Sequence, residues 1–317
     1  MFDSQNCTVV PDDARTDPGV AGAGILLSFI ITAGLSIVLS AVIILYELRG
    51  QSKAKISRKM LQSMSDQQII TGIGIQCVGL AKMTTMIPYH FFIVWMLSVL
   101  STATHIATLL ALVNDFRRDW VLRWLRQFLM FVNLVLSCVS GIFVLMSVMK
   151  GLEPTLPIAC VWRVDDRPKP DDAALSVAGT IAVLAGNCIV FVLGVWYLHS
   201  KRQPWVKTVQ VFGLVVLVAI AVGSTVRVIL MSQAFGDPDL PLRGASEKDW
   251  SFGQLLSVLL LIMPLISAVE IVRGEMKVPS PLPDDRKPLF HEEEKHNVRQ
   301  SFQPNPFWGS QASLFKK

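Results

Sequence analysis

Polar side chains inside long apolar runs are the residues of this sequence best placed to do chemistry, because such groups are expensive to keep in hydrocarbon. The largest set lies on one run and, at about 100° per residue, projects onto one arc of about 120°. Its members are His90, Ser98, Ser101, Thr102, His105 and Thr108. Such a face is explained by interhelical hydrogen bonds or by a cavity for a ligand or substrate. Under either interpretation we expect it to look into a helical bundle.

Three residues are candidates for catalysis: Asp66, His105 and Glu270. Ser65 followed three residues later by Gln68 is typical of a capping box, so we expect a helix to begin here with Asp66 in its first turn. A carboxylate beside His105 would form a proton relay or polarise a substrate oxygen. The alternative is structural: Asp66 favours the helix start and His105 bonds a neighbouring backbone. Glu270 lies within a turn of the end of the last apolar run.

One face of the second apolar run carries Gln68, Gly72, Gln76 and Gly79. Glycines allow another helix to approach closely, so we expect this run to pack tightly on the third. Gln76 then needs a partner inside the bundle and joins the candidates for a ligand cavity. The two histidines of the third run are about 22 Å apart along a helix and cannot share a metal. Neither a metal site nor a cofactor is predicted.

The elements that must position these side chains are membrane-spanning helices. Only 17% of the 317 residues are charged, and 52% are hydrophobic, whereas a soluble domain carries about 25% charged residues. A span needs about 20 apolar residues, and seven runs qualify. They are Val20–Tyr46, Ile69–Ile87, His90–Val113, Phe128–Met149, Ala174–Leu198, Val211–Gln233 and Gly253–Val272. We therefore predict an all-α membrane protein with seven transmembrane helices, whose main partner is the lipid bilayer.

The orientation follows from the basic residues of the connecting segments, which favour the cytoplasm. One side carries 20 lysines and arginines and the other carries 7, which places the N-terminus outside and the C-terminus in the cytoplasm. We expect an extracytoplasmic tail over residues 1–19, the helical domain over 20–272 and a disordered cytoplasmic tail over 273–317. The outer side then holds a glycosylation sequon at Asn6, and Cys7 and Cys160 could form a disulfide there. Basic loops of this kind indicate topology and not nucleic-acid binding.

Several short segments resemble a family of multi-pass membrane proteins from filamentous fungi. The family shares an S-D-Q-Q-x-x-T-G segment and a Y-H…S-x-x-T-H stretch, which match Ser65–Gln68 with Thr71–Gly72, Tyr89–His90 and Ser101–His105. The resemblance is strong over residues 60–112 and elsewhere covers only the layout. Some members are associated with gene clusters for specialised metabolites, which implies a role in such a pathway.

Three functions fit these observations. The first is the binding or processing of a hydrophobic metabolite within the bundle, in the endoplasmic reticulum or the plasma membrane. The second is a membrane-embedded terpene cyclase that starts its reaction with a protonated carboxylic acid. The candidate acids all lie at the predicted cytoplasmic ends of spans, and they are Glu47, Asp66, Asp115 and Glu270. The third is a seven-span sensor or receptor-like protein. The sequence leaves open whether the chain is an enzyme.

Overall fold

The chain folds as a bundle of long helices. The computed structural model describes residues 7–49, 55–116, 120–165, 173–199, 206–236, 238, 240, 242–244 and 246–273. Within these residues, six helical segments are long and apolar enough to cross a membrane. They are Pro18–Leu48, Pro88–Ala111, Arg123–Met149, Ala173–His199, Lys207–Met231 and Phe252–Glu270. The prediction of an all-α, multi-pass membrane protein is therefore confirmed.

The helices follow in chain order as α1 (Pro18–Ala21), α2 (Ala23–Leu48), α3 (Lys55–Ala81), α4 (Pro88–Ala111), α5 (Val113–Phe116), α6 (Trp120–Met149), α7 (Ala173–His199), α8 (Val206–Met231), α9 (Phe252–Leu259) and α10 (Met263–Val272). Short 3-10 helices occupy Ile158–Trp162 and Leu260–Ile262. The two-residue strands β1 (Ala14–Arg15) and β2 (Leu242–Arg243) pair in parallel.

Helix α4 is the central helix of the bundle. It packs against α2, α3, α6, α7 and α8, and its apolar span is buried over its whole length. All six polar residues of the predicted face are buried, with 2% exposure or less, so that face does look into the bundle. The opposite, apolar face is buried as well, because neighbouring helices surround α4 on all sides.

The observed start and end of helix α3 contradict two predictions. It begins at Lys55 and ends at Ala81, whereas the apolar run suggested a span over 69–87. Ser65 therefore lies in the helix interior and caps nothing; its hydroxyl is buried without a partner among the described residues. The helix starts earlier because Arg58 hydrogen-bonds Glu47 and Asp115. These bonds stabilise a first, charged part of the helix, which a hydropathy pattern assigns to a loop.

The packing of α3 on α4 depends on two glycines, as expected. A Cβ added at Gly72 would fall on the Ser101 hydroxyl, and one at Gly79 would lie 3.0 Å from Val94. Glycine at both positions lets the two backbones approach closely. The polar groups of α3 and α4 thereby come within hydrogen-bonding distance of each other.

The last long segment is interrupted near its middle. Helix α9 gives way to a 3-10 turn at Leu260–Ile262 before α10 begins. Pro264 accounts for the break, because proline has no backbone N–H to donate to the carbonyl four residues earlier. The start of the segment is capped by Ser251, whose hydroxyl accepts from the Gln254 N–H.

One end of the bundle, which we call the disulfide end, is closed by the Cys7–Cys160 disulfide, with a Cα–Cα distance of 5.6 Å. Within the predicted N-terminal tail, β1 pairs with β2, and α1, which begins at its end, packs on α2, α4 and α9. The Asn6 sequon and all but the first residue of the predicted tail over 273–317 lie outside the described residues. At the opposite end, which we call the arginine end, lie the ion pairs of Arg58 and Arg126.

Candidate functional site

A buried polar network joins α3, α4 and α6 in the middle of the bundle. The Gln76 amide donates to the backbone oxygen of Gly72 at 2.9 Å and to Asn133 Oδ1 at 2.8 Å. Asn133 Nδ2 in turn lies 2.9 Å from Thr102 Oγ1 and 3.1 Å from His105 Nε2. Gln76 and Asn133 are fully buried, and His105 is 1% exposed. Gln76 therefore has the buried partner that the sequence required.

The network also holds the imidazole of His105 between side chains of α4 and α6. Because the Gly72 carbonyl can only accept, it orients the amide of Gln76, which then orients the amide of Asn133. Asn133 Nδ2 can only donate to His105 Nε2, whereas the Ser101 hydroxyl, 3.1 Å from the same nitrogen, donates its proton to the Gln68 carbonyl and can only accept. Nδ1 has no partner among the described residues. His105 is thus held by the side chains of Ser101 and Asn133, and not by the neighbouring backbone group that the structural interpretation assigned to it.

The remaining hydroxyl groups of the α4 face bond to nearby protein. Ser98 reaches Ser137 of α6 at 2.9 Å, and Ser101 donates to the Gln68 backbone oxygen at 2.8 Å. Thr102 and Thr108 donate to the carbonyl oxygens four residues earlier on the same helix. These contacts account for the face through interhelical and local hydrogen bonds.

A second buried network lies at the disulfide end. His90 Nε2 is 2.7 Å from Glu247 Oε1, and the Tyr89 hydroxyl donates to Glu247 Oε2 at 2.9 Å. The backbone N–H of Gln233 donates to the same hydroxyl at 2.7 Å. Glu247 is fully buried, although the sequence places it in a polar loop between apolar runs. No apolar periodicity surrounds it, so the sequence carries no signal for its burial.

The acids proposed for catalysis lie apart from His105. Asp66 pairs in a bidentate manner with Arg126, at 2.8 and 2.6 Å, and does not bond to His105. Arg58 similarly holds Glu47 at 2.6 Å and Asp115 at 2.7 Å. The predicted Asp66–His105 relay is therefore not assembled, because α3 extends beyond the membrane run and directs Asp66 toward α6. Glu270 is partly buried near the end of α10.

A pocket of about 240 Å³ opens between α2, α3 and the last helical segment. Its apolar wall includes Ile25, Phe29, Ile75, Val78 and Leu260, and its polar side chains are Ser28, Thr32, Gln67, Gln68, Thr71 and Ser257. The residues predicted to line a ligand cavity, His90, Ser98, Ser101, Thr102, Thr108 and Gln76, are not part of this lining. Helices pack around α4 too closely for its polar face to line the pocket, which lies instead on the other side of α3.

Two glutamines of the pocket wall have unsatisfied oxygen atoms. Gln68 is 2% exposed and donates through Nε2 to the Phe29 carbonyl at 3.3 Å. The Oε1 atoms of Gln68 and Gln67 are buried and have no hydrogen-bond partner among the described residues. Buried polar atoms are normally bonded, so these two unpartnered acceptors in the wall of an open pocket are available to a ligand. The sequence drew attention to Gln68 through the predicted helix start and the face that it shares with Gln76, and to Gln67 through the family resemblance.

Comparisons with known proteins add no relative from which a function could be transferred. No family model, curated protein sequence or solved structure matches this chain. Its own geometry therefore carries the functional argument.

Proposed function

We propose that this chain is a seven-span membrane protein that binds or processes a small hydrophobic metabolite, in a specialised metabolic pathway of a fungus. The pocket between α2, α3 and α9 is the observation that carries the proposal. Ligand sites are typically apolar with a few polar groups, and this lining has that composition. Gln67, Gln68 and Thr71 of the lining also belong to the segment that resembles the fungal family.

The size of the pocket limits its ligand. Sites for drug-sized molecules measure roughly 300–1,000 Å³, and this pocket of about 240 Å³ is smaller. It suits a molecule below that size or one hydrocarbon portion of a larger one. Its described lining carries no charged side chain, which favours a neutral ligand because an unpaired charge is expensive to bury.

The proposal of seven spans requires that α3 also crosses the membrane. It has 27 residues, which corresponds to a length of about 40 Å, enough to cross the hydrocarbon core. Arg58, near the start of α3, belongs to the arginine end. The turn that follows the end of α3 lies at the disulfide end, where Met86 O accepts a hydrogen bond from the Ile158 N–H at 2.8 Å. Its buried Ser65, Gln68 and Gln76 lower its average hydropathy but face protein.

An odd number of spans places the two termini on opposite sides of the membrane. We propose that the disulfide end is extracytoplasmic, since disulfides persist in oxidising compartments, and that the arginine end is cytoplasmic. This arrangement suits either the endoplasmic reticulum or the plasma membrane. A membrane-impermeant maleimide tests it in sealed membranes of known sidedness. Thr85→Cys and Ser52→Cys should label from opposite faces, and labelling from the same face would contradict a spanning α3.

An acid-initiated cyclase is less well supported than metabolite binding. Such a reaction needs a protonated carboxylic acid facing the substrate. Glu47, Asp66 and Asp115 each accept hydrogen bonds from a guanidinium, so their carboxyl groups are already engaged by arginine side chains. None of these three acids lines the pocket.

The proposed binding is tested by filling the pocket. A Cβ added at Gly74, which lines the pocket, would meet nothing within 4 Å, so Gly74→Leu should fold and occupy part of the space. Gly34→Leu on α2 is the matched control, because its Cβ is equally unobstructed and lies outside the lining. Each protein is purified from the same expressing cells, and its retained small molecules are extracted and identified by mass spectrometry.

We expect the wild type and Gly34→Leu to retain a neutral hydrophobic compound that Gly74→Leu loses. The same retained compounds at equal amounts in all three proteins would contradict the pocket as a binding site. The pathway assignment has its own test. Disruption of the gene in its fungal host should alter the profile of specialised metabolites, and an unchanged profile would remove that part of the proposal.

A further inference from the structure

The four hydroxyl groups of the pocket wall all donate hydrogen bonds to backbone carbonyl oxygens. Ser28 donates to the Ile25 carbonyl at 2.8 Å, and Thr32 donates to the Ser28 carbonyl at 2.7 Å. Thr71 and Ser257 likewise donate to carbonyl oxygens four residues earlier, each at 2.9 Å. A hydroxyl has one proton and two lone pairs, so toward a ligand these four groups can act only as acceptors.

The glutamines add to this excess of acceptors. Gln68 Nε2 donates to Phe29, which leaves its Oε1 without a partner, and Gln67 Oε1 is in the same state. The polar side chains of the wall therefore offer six oxygen atoms, while their donors are limited to the two amide nitrogens. A ligand that brings a proton donor therefore meets more free partners on this wall than a ligand that brings only acceptors.

We propose that the pocket selects a neutral aliphatic alcohol over the corresponding ether, ester or carboxylate. The alcohol proton is donated to Gln68 Oε1, and the hydrocarbon chain lies along Ile25, Phe29, Ile75 and Leu260. The uncharged wall disfavours a carboxylate or a phosphate, because it offers no cation to pair with a buried anion. This inference rests on the proposed binding function and specifies the chemical class of the ligand.

The experiment uses the full-length protein in lipid nanodiscs and a twelve-carbon alcohol that carries a photoreactive diazirine and an alkyne. Labelled peptides are mapped by mass spectrometry, and unlabelled 1-dodecanol, 1-methoxydodecane and dodecanoate compete for the site. We expect labelling of α2, α3 or α9 in the wild type. 1-Dodecanol should reduce labelling at a concentration about tenfold lower than 1-methoxydodecane or dodecanoate requires, as expected when one hydrogen bond to a buried acceptor is lost.

Two variants separate hydrogen bonding from general packing. Gln68→Met keeps the approximate size of the side chain and removes the acceptor, so the alcohol and the ether should compete equally. Gln210→Met is the matched control: Gln210 is also a buried glutamine that donates to a backbone carbonyl, that of Leu110 at 2.8 Å, but it lies outside the pocket. It should retain the wild-type preference.

The outcomes distinguish the two proposals. Equal competition by the alcohol and the ether in the wild type would overturn the selectivity for a donor and leave the pocket as a binding site. Labelling that spares the pocket, or that Gly74→Leu does not reduce, would overturn both. An unchanged preference in Gln68→Met would also overturn the role assigned to Gln68.

Discussion

Glu247 and His90 form a buried pair at 2.7 Å although 157 residues separate them in the chain. The same glutamate accepts a hydrogen bond from Tyr89 through its other carboxyl oxygen, and its backbone oxygen accepts from the Ala23 N–H at 3.1 Å. One residue of a loop therefore ties together the starts of α2 and α4. The loop that precedes α9 is held in place by this contact, and α9 forms part of the pocket wall.

The first prediction concerns this pair. His90→Ala leaves one oxygen of the fully buried Glu247 carboxyl group without its imidazole partner, and we expect a loss of about 3 kcal/mol in the free energy of unfolding. Glu247→Gln keeps a hydrogen-bonding group of similar size and should cost less. The thermal midpoint of unfolding in detergent measures both changes. The double variant should lose less than the sum of the single losses; strictly additive losses would show that the two side chains do not interact.

The second prediction concerns the disulfide. Cys7→Ser should lower the free energy of unfolding by about 2–4 kcal/mol, because the bond closes a long loop of the unfolded chain, its cysteines being 153 positions apart. Cys77→Ser is the control, since Cys77 is an exposed free thiol and its replacement should leave the midpoint unchanged. Mass spectrometry of the unreduced protein should find Cys7 protected from alkylation. Alkylation of Cys7 without reduction would contradict the bond.

The third prediction ranks the two ion-pair groups of the arginine end. The Arg58 side chain is 9% exposed and serves two carboxylates, whereas the Asp66 side chain is 42% exposed. Arg58→Met should therefore cost about 2–3 kcal/mol because it leaves two acids without their cation. Asp66→Asn should cost less than about 1 kcal/mol. Thermal unfolding at low and high salt checks the order, and a larger effect at Asp66 would reverse our assignment of the stronger group.

The fourth prediction compares two glycines of α3. Gly72→Ala places a methyl group on the Ser101 hydroxyl, which should push α3 away from α4 and cost about 1–3 kcal/mol. Gly74→Ala meets no atom within 4 Å and should be neutral or stabilising, because alanine favours a helix by about 1 kcal/mol over glycine. Unfolding midpoints measured on both variants decide the matter. Equal destabilisation would mean that helix geometry and not the α4 contact determines the need for Gly72.

Several features of the fold could be predicted because they depend on periodicity along a single helix. The apolar runs located the spans, and the 3.6-residue repeat identified the buried polar face of α4. Glycine spacing on α3 correctly indicated its close contact with α4. In each case the pattern of residue types within one helix contains the information, since burial in a membrane bundle follows which face is polar.

Other features could not be predicted because they depend on which distant residues meet. The ion pairs of Arg58 stabilise the part of α3 that precedes its apolar run. Arg126 binds Asp66, which therefore does not contact His105. Glu247 lies in a loop whose burial depends entirely on the neighbouring helix ends. Asn133 on α6 could have been noticed as an amide inside an apolar span, but its partners could not.

The sequence alone determined the class of this protein: long apolar runs require helices in a bilayer, because only internal hydrogen bonds satisfy a backbone in hydrocarbon. It also determined that the polar face of α4 would be turned toward protein. The tertiary structure alone decided where a ligand could bind. A pocket is the space left between helices, and its size and its free acceptors depend on side chains of α2, α3 and α9 that no local pattern brings together. Gln68 illustrates the difference, because its amide is oriented by the Phe29 carbonyl of another helix.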